Sequence, residues 1–425
     1  MENINWKEKL YVDESIEKID DHEYCPYSTN LNQAHADIRI NIQNQDQFIL
    51  PHKSYLYVEC KLEKADGTDY DKDDNITVVN NPFAFLFERI SYEINGKEIE
   101  GTSNVGICTT MKGILTYAGS YPEGTLFLWK KDNSKHLKES SFAKLRKTII
   151  LQRHKTGHFS GIIPLTHLFG FCENYQKIMY GLQHTLILRR NYDADAILKS
   201  QEQEDEVDKV PDGKLIISKL SWYMPHITLS DEAKLSLMKD IRNRSTIDVG
   251  FLNRQCERYN IIKGSRELDW RLNMAAGSER PRYIIVGFQQ AENQNQKFNN
   301  AIFNHFNYKN GYVQLNNERY PEHDLHVDFK MNHIIHPFKM YISFYHDVMG
   351  KEESPIGITD FENYYPLLVF DVSHQSEKLK SSPVDIRVKV EFDSAQNEDV
   401  TAYALVLSDR FVKLASDGNR MNIVY

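Results

Sequence analysis

The stretch Val384-Asp385-Ile386-Arg387-Val388-Lys389-Val390-Glu391-Phe392 alternates apolar and charged residues over its whole length. Side chains on a strand point to opposite faces in turn, so this pattern puts one face on a core and the other in water. Ile38, Ile40 and Ile42 repeat it between Asp37, Arg39 and Asn41, and Leu56, Val58, Cys60 and Leu62 repeat it again. Further strand candidates are 185–189, 215–224, 283–288 and 401–407, all short and bounded by Gly, Pro, Asn or Asp. Short strands with such punctuation predict antiparallel sheets in sandwiches, not parallel sheets joined by crossover helices.

A chain of 425 residues has room for two or three domains. Its 41% hydrophobic and 26% charged residues are ordinary for a globular protein and exclude wholesale disorder or a collagen-like repeat. No apolar run approaches the roughly 18 residues that cross a bilayer. Residues 1–21 lack an apolar signal core, so export by a signal peptide is not expected. Fifty-one Lys and Arg against 60 Asp and Glu leave a net charge of −9, which disfavours a globally basic nucleic-acid binder. The 24 Tyr and 21 Phe suit half-buried pleated surfaces. Cys25, Cys60, Cys108, Cys172 and Cys256 are odd in number and well separated. They predict no disulfide framework or CxxC zinc site, and read as small buried apolar residues in a reducing compartment.

Helical signals are few. Val105, Cys108, Met111 and Leu115 recur at three- and four-residue steps, as do Phe338, Tyr341, Tyr345 and Val348 behind Pro337. Ser230 is placed to cap a third helix carrying Leu235, Met238 and Ile241. Well under a third of the chain is expected to be helical.

Residues 191–213 hold eight acidic and two basic side chains, and their centre is almost devoid of apolar residues. Such a segment buries too little to offset its ordering entropy and reads as an exposed linker. The signals on either side of it come in the same order. Strand 56–62 precedes Asn95-Gly96, a strong hairpin turn between apolar-alternating flanks. Strand 283–288 precedes the similar turn Asn316-Asn317. One amphipathic helix follows in each half, then Leu165-Thr166-His167-Leu168-Phe169 or Ile358-Thr359-Asp360-Phe361, then an alternating strand. The expectation is a duplicated β-sandwich of the jelly-roll kind: an all-β chain of two tandem eight-stranded antiparallel jelly rolls with a few short helices in loops. Its expected division is an N-terminal arm at 1–34, a first jelly roll at 35–190, an acidic linker at 191–213, and a second jelly roll with a C-terminal tail at 214–425.

The chain has no GxSxG, HExxH or P-loop motif, which removes the simple arguments for a serine hydrolase, a zincin or an NTPase. His323, His326, His333 and His336 form two HxxH pairs, a nominal metal set. Residues three apart on a strand point to opposite faces, so the pairs diverge and read first as hydrogen-bonded or solvated histidines. Were they ligands, the chain would be a bicupin-type metalloenzyme. Glu202, Glu204, Asp205 and Glu206 lack the glycine and spaced oxygens of a calcium loop. No catalytic, cofactor or metal residue is therefore assigned. The candidate binding residues are a basic segment: Lys130, Lys131, Lys135, Lys138, Lys144, Arg146, Lys147, Arg153 and Lys155, against Asp132 and Glu139. It suits phosphate, with salt-dependent affinity, or an acidic surface on a neighbouring copy. A plain solvated loop is the bland alternative.

The last third of the chain carries a resemblance. It rests on Arg280-Pro281-Arg282-Tyr283-Ile284-Ile285-Val286-Gly287-Phe288-Gln289, then Leu315-Asn316-Asn317-Glu318-Arg319-Tyr320-Pro321, Ile358-Thr359-Asp360-Phe361, Leu367 to Ser373, Leu379 to Phe392, and Thr401 to Arg410. Together these resemble the double jelly-roll capsid-like proteins of Polinton/Maverick-type elements, adintoviruses and related copies in arthropod genomes. The likeness is specific over about 280–410, looser over 35–190, and absent from 1–30 and 191–213. It implies a virion building block without enzymatic activity. Two jelly rolls stand side by side, three chains make a pseudo-hexameric capsomer, and capsomers tile an icosahedral shell around double-stranded DNA. The implied partners are further copies of the chain, penton or minor capsid proteins, and weakly the packaged DNA. The implied location is the virion, after synthesis in the host cytoplasm and assembly in the nucleus. The chain is short for a major capsid protein of this kind, so small outward loops are expected, and a minor shell component is an alternative. A non-assembling β-sandwich binding protein is the other.

Overall fold

The structure, a computed structural model, describes residues 15–43, 47–118, 121–152, 157–200, 210–243, 246–273, 279–291, 295–350, 355–375, 384–416 and 421–424. Strands outweigh helices, 43% to 23%. The first eight principal strands are β1 (Ile16–Tyr24), β2 (Asp37–Ile42), β3 (Tyr55–Lys64), β4 (Phe87–Ile94), β5 (Lys97–Ser103), β6 (His158–Pro164), β7 (His184–Arg190) and β8 (Gly213–Leu229). The next eight are β9 (Thr246–Ile261), β10 (Glu267–Leu272), β11 (Arg280–Gln290), β12 (Tyr308–Leu315), β13 (Glu318–Tyr320), β14 (Leu368–Asp371), β15 (Ile386–Phe392) and β16 (Val400–Ser416).

The two sets pair identically. One sheet of the first set runs β1-β8-β3-β6, and its counterpart runs β9-β16-β11-β14. The facing sheets run β2-β7-β4-β5 and β10-β15-β12-β13. Adding eight to each label of the first set gives the second. Every pairing is antiparallel, and each set of two four-stranded sheets is one jelly roll. The expected fold, two tandem eight-stranded jelly rolls, is what the chain adopts.

Local chemistry explains the elements. In β15, Ile386, Val388, Val390 and Phe392 are at most 2% exposed, while Arg387 and Lys389 reach Asp269 across the sheet at 3.6 and 3.2 Å. The opposite-charge pairs add to cross-strand stability on the wet face. The β4–β5 turn places Asn95 at φ 49° and Gly96 at φ 73°, the signs a type I′ hairpin requires. In the β12–β13 turn Asn316 sits at φ 53°.

The three expected helices form as α1 (Val105–Thr116), α2 (Asp231–Arg242) and α3 (Ile335–Met349). Ser230 precedes α2, but its hydroxyl makes no capping hydrogen bond. Pro337 is the third residue of α3, still in the first turn, where its missing N–H is not needed.

The expected boundaries need correction. Residues 214–229, placed in the second sandwich by expectation, belong to β8, which pairs along β3 from Gly213↔Lys64 to Tyr223↔Tyr55. Residues 16–24, expected in an arm, form β1 and pair with the far end of β8. The acidic stretch therefore joins two strands of the first sandwich and does not separate the sandwiches. Within it, Ile197–Lys199 pairs with Ile76–Val78. Its centre, with Glu202, Glu204, Asp205 and Glu206, lies outside the described residues, as do residues 1–14 of the expected arm. The chain crosses between sandwiches through α2 instead.

The apolar core is continuous across the junction. One cluster joins first-sandwich residues such as Leu56, Ile90, Met111 and Trp222 to Phe251, Cys256, Ile285, Tyr341 and Leu405 of the second. A second cluster, including Trp270, Phe288, Val313, Val388 and Val406, lies inside the second sandwich alone.

Candidate functional site

The densest chemistry in the molecule lies where the sandwiches meet. Arg254, 1% exposed, projects from β9 of the second sandwich into the first. Its Nη1 donates to the His167 carbonyl at 2.7 Å, and its Nη2 donates to the Thr166 carbonyl at 3.2 Å and the Glu173 carboxylate at 2.5 Å. Lys112 of α1 donates to the other Glu173 oxygen at 2.5 Å. Glu100 of β5 faces this group and accepts from Gly170 N–H at 2.9 Å and Phe171 N–H at 2.8 Å. Gly170 is required there, because a Cβ would sit 1.8 Å from the Leu252 carbonyl of β9.

The environment sets the charges. Desolvation opposes ionisation of Glu173, yet Lys112 and Arg254 outweigh it and hold its pKa at about 2. At Glu100 burial wins over Arg254 and the amide hydrogen bonds, and its pKa rises to about 6. His167 hydrogen-bonds Tyr117 at 2.7 Å and Asn81 at 3.1 Å; burial first, then Lys112 and Arg254, push its pKa well below the ordinary value, so it is neutral. Two acids and two bases thus share one junction, with Glu173 partly open to solvent at its rim, and every charge has a partner, the condition under which buried ions are tolerated.

A second junction centres on Asp132, 2% exposed. Its carboxylate accepts from Arg146 Nη2 at 2.8 and 2.9 Å, from Ser140 Oγ at 3.0 Å and from Asn299 of the second sandwich at 2.9 Å. Tyr365 donates to its carbonyl at 2.8 Å. Gln296 makes a two-way amide clasp with Gly213, at 2.8 and 2.7 Å. Thr102 and Asn104 donate to the Arg254 and Cys256 carbonyls, so the end of β5 and the residue after it lie against β9. The arrangement locks two sandwiches into one body.

The basic segment divides. Arg146 is spent on Asp132 and on the Val78 carbonyl. Lys147 is buried against the Asp73 carbonyl and Asn75 at 3.0 Å each. Lys131 donates to the carbonyls of Tyr117 and of Pro355 across the junction, and burial drives its pKa down to about 7. These three cannot serve phosphate as expected, because their donors are already directed inward. Lys130, Lys135, Lys138 and Lys144 remain exposed, with Lys130 lying 4.5 Å over the Phe142 ring. Arg153 and Lys155 lie outside the described residues.

The histidines do not converge. His336 bonds the Leu325 carbonyl at 3.0 Å, and its ring stands edge-on to His323 at 6.0 Å. Among the described residues no group of three or more His, Cys, Asp or Glu is placed to hold a metal. A cleft of about 510 Å³ runs along the junction between residues such as His35, Arg89, Arg189 and Arg258. Its charges are largely engaged: His35 bonds Glu88, Arg89 bonds Glu98 and Arg189 bonds Asp37. Arg254, Glu173, Glu100 and Asp132, the residues that organise the junction, were not singled out from the sequence. The one available signal was an arginine at an inward position of a strand.

A family model described as "Double jelly roll-like domain" matches residues 76–412. The chain belongs to the double jelly roll-like domain family. The solved structures similar to this double jelly roll chain include the 3.5 Å cryo-EM structure of the Sputnik virophage, at TM-score 0.62 and 10% identity over 99% of this chain and 91% of that one. The crystal structure of the mavirus major capsid protein matches at TM-score 0.59 and 10% identity, over 99% and 92%. Vp54 of the virus PBCV-1, fitted into a Sputnik reconstruction, matches at 0.56 and 10%, over 99% of both chains. At such identities the likeness is one of fold. No curated protein matches the sequence. No helix among the described residues is long and apolar enough to cross a membrane.

Proposed function

We propose that this double jelly roll chain is a structural capsid protein of an icosahedral virion. Three copies form a pseudo-hexameric capsomer, and capsomers enclose double-stranded DNA. What carries the reading is the pair of identically ordered jelly rolls joined by a continuous core: two like lobes per chain make three chains a six-lobed tile. It is supported by likeness in fold to the mavirus and Faustovirus major capsid proteins. The chain acts through shape and self-association, without catalysis. We place it among the capsid proteins of Polinton/Maverick-type elements and adintoviruses, on the resemblance of residues 280–410. On that reading it is made in the host cytoplasm and assembled in the nucleus, with penton or minor capsid proteins as partners. The exposed lysines Lys130, Lys135, Lys138 and Lys144 are the side chains we propose for weak contact with packaged DNA or an acidic neighbour. We take the first jelly roll as 16–229 and the second as 246–424. Light scattering tests the reading: a trimer has three times the 49.7 kDa of the chain. A monomer at micromolar concentration, or micrographs without capsomers or shells, would sink it.

A further inference from the structure

The face of the second sandwich that covers the first changes character along its strands. In its middle Cys256 of β9, Leu405 of β16 and Ile285 of β11 stand abreast and belong to the core shared by both sandwiches. Further along the same face, at two-residue steps, come Arg258, Tyr403 and Gln289. There the cleft of about 510 Å³ lies between this polar end and the start of α1. Its volume is in the usual range of small-molecule pockets, which favour such junctions.

The groups around it have unspent capacity. Asn104, ahead of α1, does not cap the helix; its side chain donates to the Cys256 carbonyl at 3.1 Å. The Cys108 N–H takes the Asn104 carbonyl at 2.9 Å, but the N–H groups of Val105, Gly106 and Ile107, three buried residues lining the cleft, have no acceptor among the described residues. First-turn amides need partners from outside the helix and carry its positive end, and buried ones are seldom left without any. Arg258, the cross-strand neighbour of Tyr403, makes no hydrogen bond or ion pair among the described residues, whereas Arg89 and Arg189 of the same cleft are held by Glu98 and Asp37. The Tyr403 hydroxyl is equally unpartnered, and burial pushes its pKa up, so it stays a donor. Gln289 is 7% exposed; its amide nitrogen donates to the Asn300 and Ile302 carbonyls at 2.8 and 2.9 Å, which leaves Oε1 as an acceptor at the cleft wall. The carboxylates of the cleft have other partners: Glu88 bonds His35 at 2.6 Å, and Asp195 accepts from Asn191 at 2.9 Å. Clustered donors with an unpaired guanidinium suit an oxyanion with several acceptor oxygens, and a lone acceptor beside them suits a hydroxyl or N–H on the same ligand.

We propose that the junction cleft binds a small organic phosphate monoester, its phosphate held by the first-turn amides of α1, the Arg258 guanidinium and the Tyr403 hydroxyl, and its body donating to Gln289. This site does not depend on the assembly reading. The test is calorimetric titration of the full chain, in low salt, with adenosine monophosphate, inositol monophosphate and inorganic phosphate. The variants are Arg258→Ala, Tyr403→Phe and, as control, Arg242→Ala, an exposed arginine of α2 outside the cleft. At least one organic phosphate is expected to bind about tenfold or more tighter than inorganic phosphate, and to lose about tenfold in Arg258→Ala, the worth of a charge-assisted hydrogen bond. A smaller loss is expected in Tyr403→Phe and none in Arg242→Ala. Which organic phosphate binds tells a nucleoside body from a polyhydroxyl one. Three results would each overturn the proposal: no binding of either organic phosphate, affinity no better than that of inorganic phosphate, or equal losses in Arg258→Ala and Arg242→Ala.

Discussion

In the first sandwich, Glu100, Lys112, Asp132, Arg146, Lys147, Arg190 and Lys199 are all buried. In the second, among the described residues, Arg254 is the one buried charged side chain, and it points into the first. The interior of the second sandwich is Trp270, Phe288, Val313, Val388, Val406 and their apolar neighbours. The strand order is shared, so topology did not demand the charges. The difference teaches that the first sandwich serves as the socket. Its buried ions hold loops and a second body in register, whereas the second is held by packing. Packing is tolerant of volume-conserving change, but a buried ion pair is strongly destabilised when one partner is removed.

The sharpest way to break this comparison is Arg254→Met. Glu173 then keeps Lys112 alone, and the carbonyls of Thr166 and His167 lose their donor. The expected cost is about 3–5 kcal/mol in urea unfolding. A cost under about 1 kcal/mol would mean the socket does not depend on its charges. In the second sandwich the matched test is Val388→Ala, at a position with no exposure. It removes methyl groups only and is expected to cost about 2 kcal/mol from lost transfer energy and the residual cavity. If Val388→Ala exceeds Arg254→Met, the asymmetry runs the other way.

Acid titration sharpens the comparison further. Glu173 is depressed to about 2 in the fold. It therefore contributes stability above the ordinary carboxylate range, lost as pH falls towards 2. Glu100 is raised to about 6. The fold binds its proton more tightly than the unfolded chain does, so stability rises as pH drops from above 6 to about 4.5, by roughly 2 kcal/mol. The pH profile of the melting midpoint should lose that rise in Glu100→Gln and keep it in Val388→Ala. A wild-type midpoint falling monotonically from pH 7 to 4.5, parallel to that of Glu100→Gln, would exclude the assignment.

Much of the fold was legible because strand alternation and turn chemistry report on their own surroundings. Residues 386–392 alternate because one face is core, and Asn95-Gly96 turns because both residues take positive φ. α1 and α3 were legible from three- and four-residue steps. The partition of the chain was not. Whether an acidic run joins two strands or two sandwiches depends on what its ends pair with, and β8 meets strand β3, some 160 residues earlier. Nor were the junction residues. Arg254 and Glu173 are 81 positions apart, and nothing local to either announces the other.

The basic segment gives the smallest effects and tests the same point within one helix. Lys144 and Lys147 share the short helix Ser141–Lys147 and carry the same charge, so composition cannot separate them. Structure does: Lys144 is exposed, while the Lys147 ammonium reaches the Asp73 carbonyl and Asn75. Lys147→Ala removes a buried side chain and the donor that reaches those part-buried acceptors, and is expected to cost about 1–2 kcal/mol. Lys144→Ala is expected to stay within about 0.5 kcal/mol. Binding to short duplex DNA should follow the opposite order. Lys144→Ala should weaken a salt-dependent affinity, because an outward ammonium can displace counterions and an inward one cannot. Equal stability losses would return the segment to a uniform solvated surface. Unchanged DNA affinity in Lys144→Ala would leave its charge to a protein neighbour.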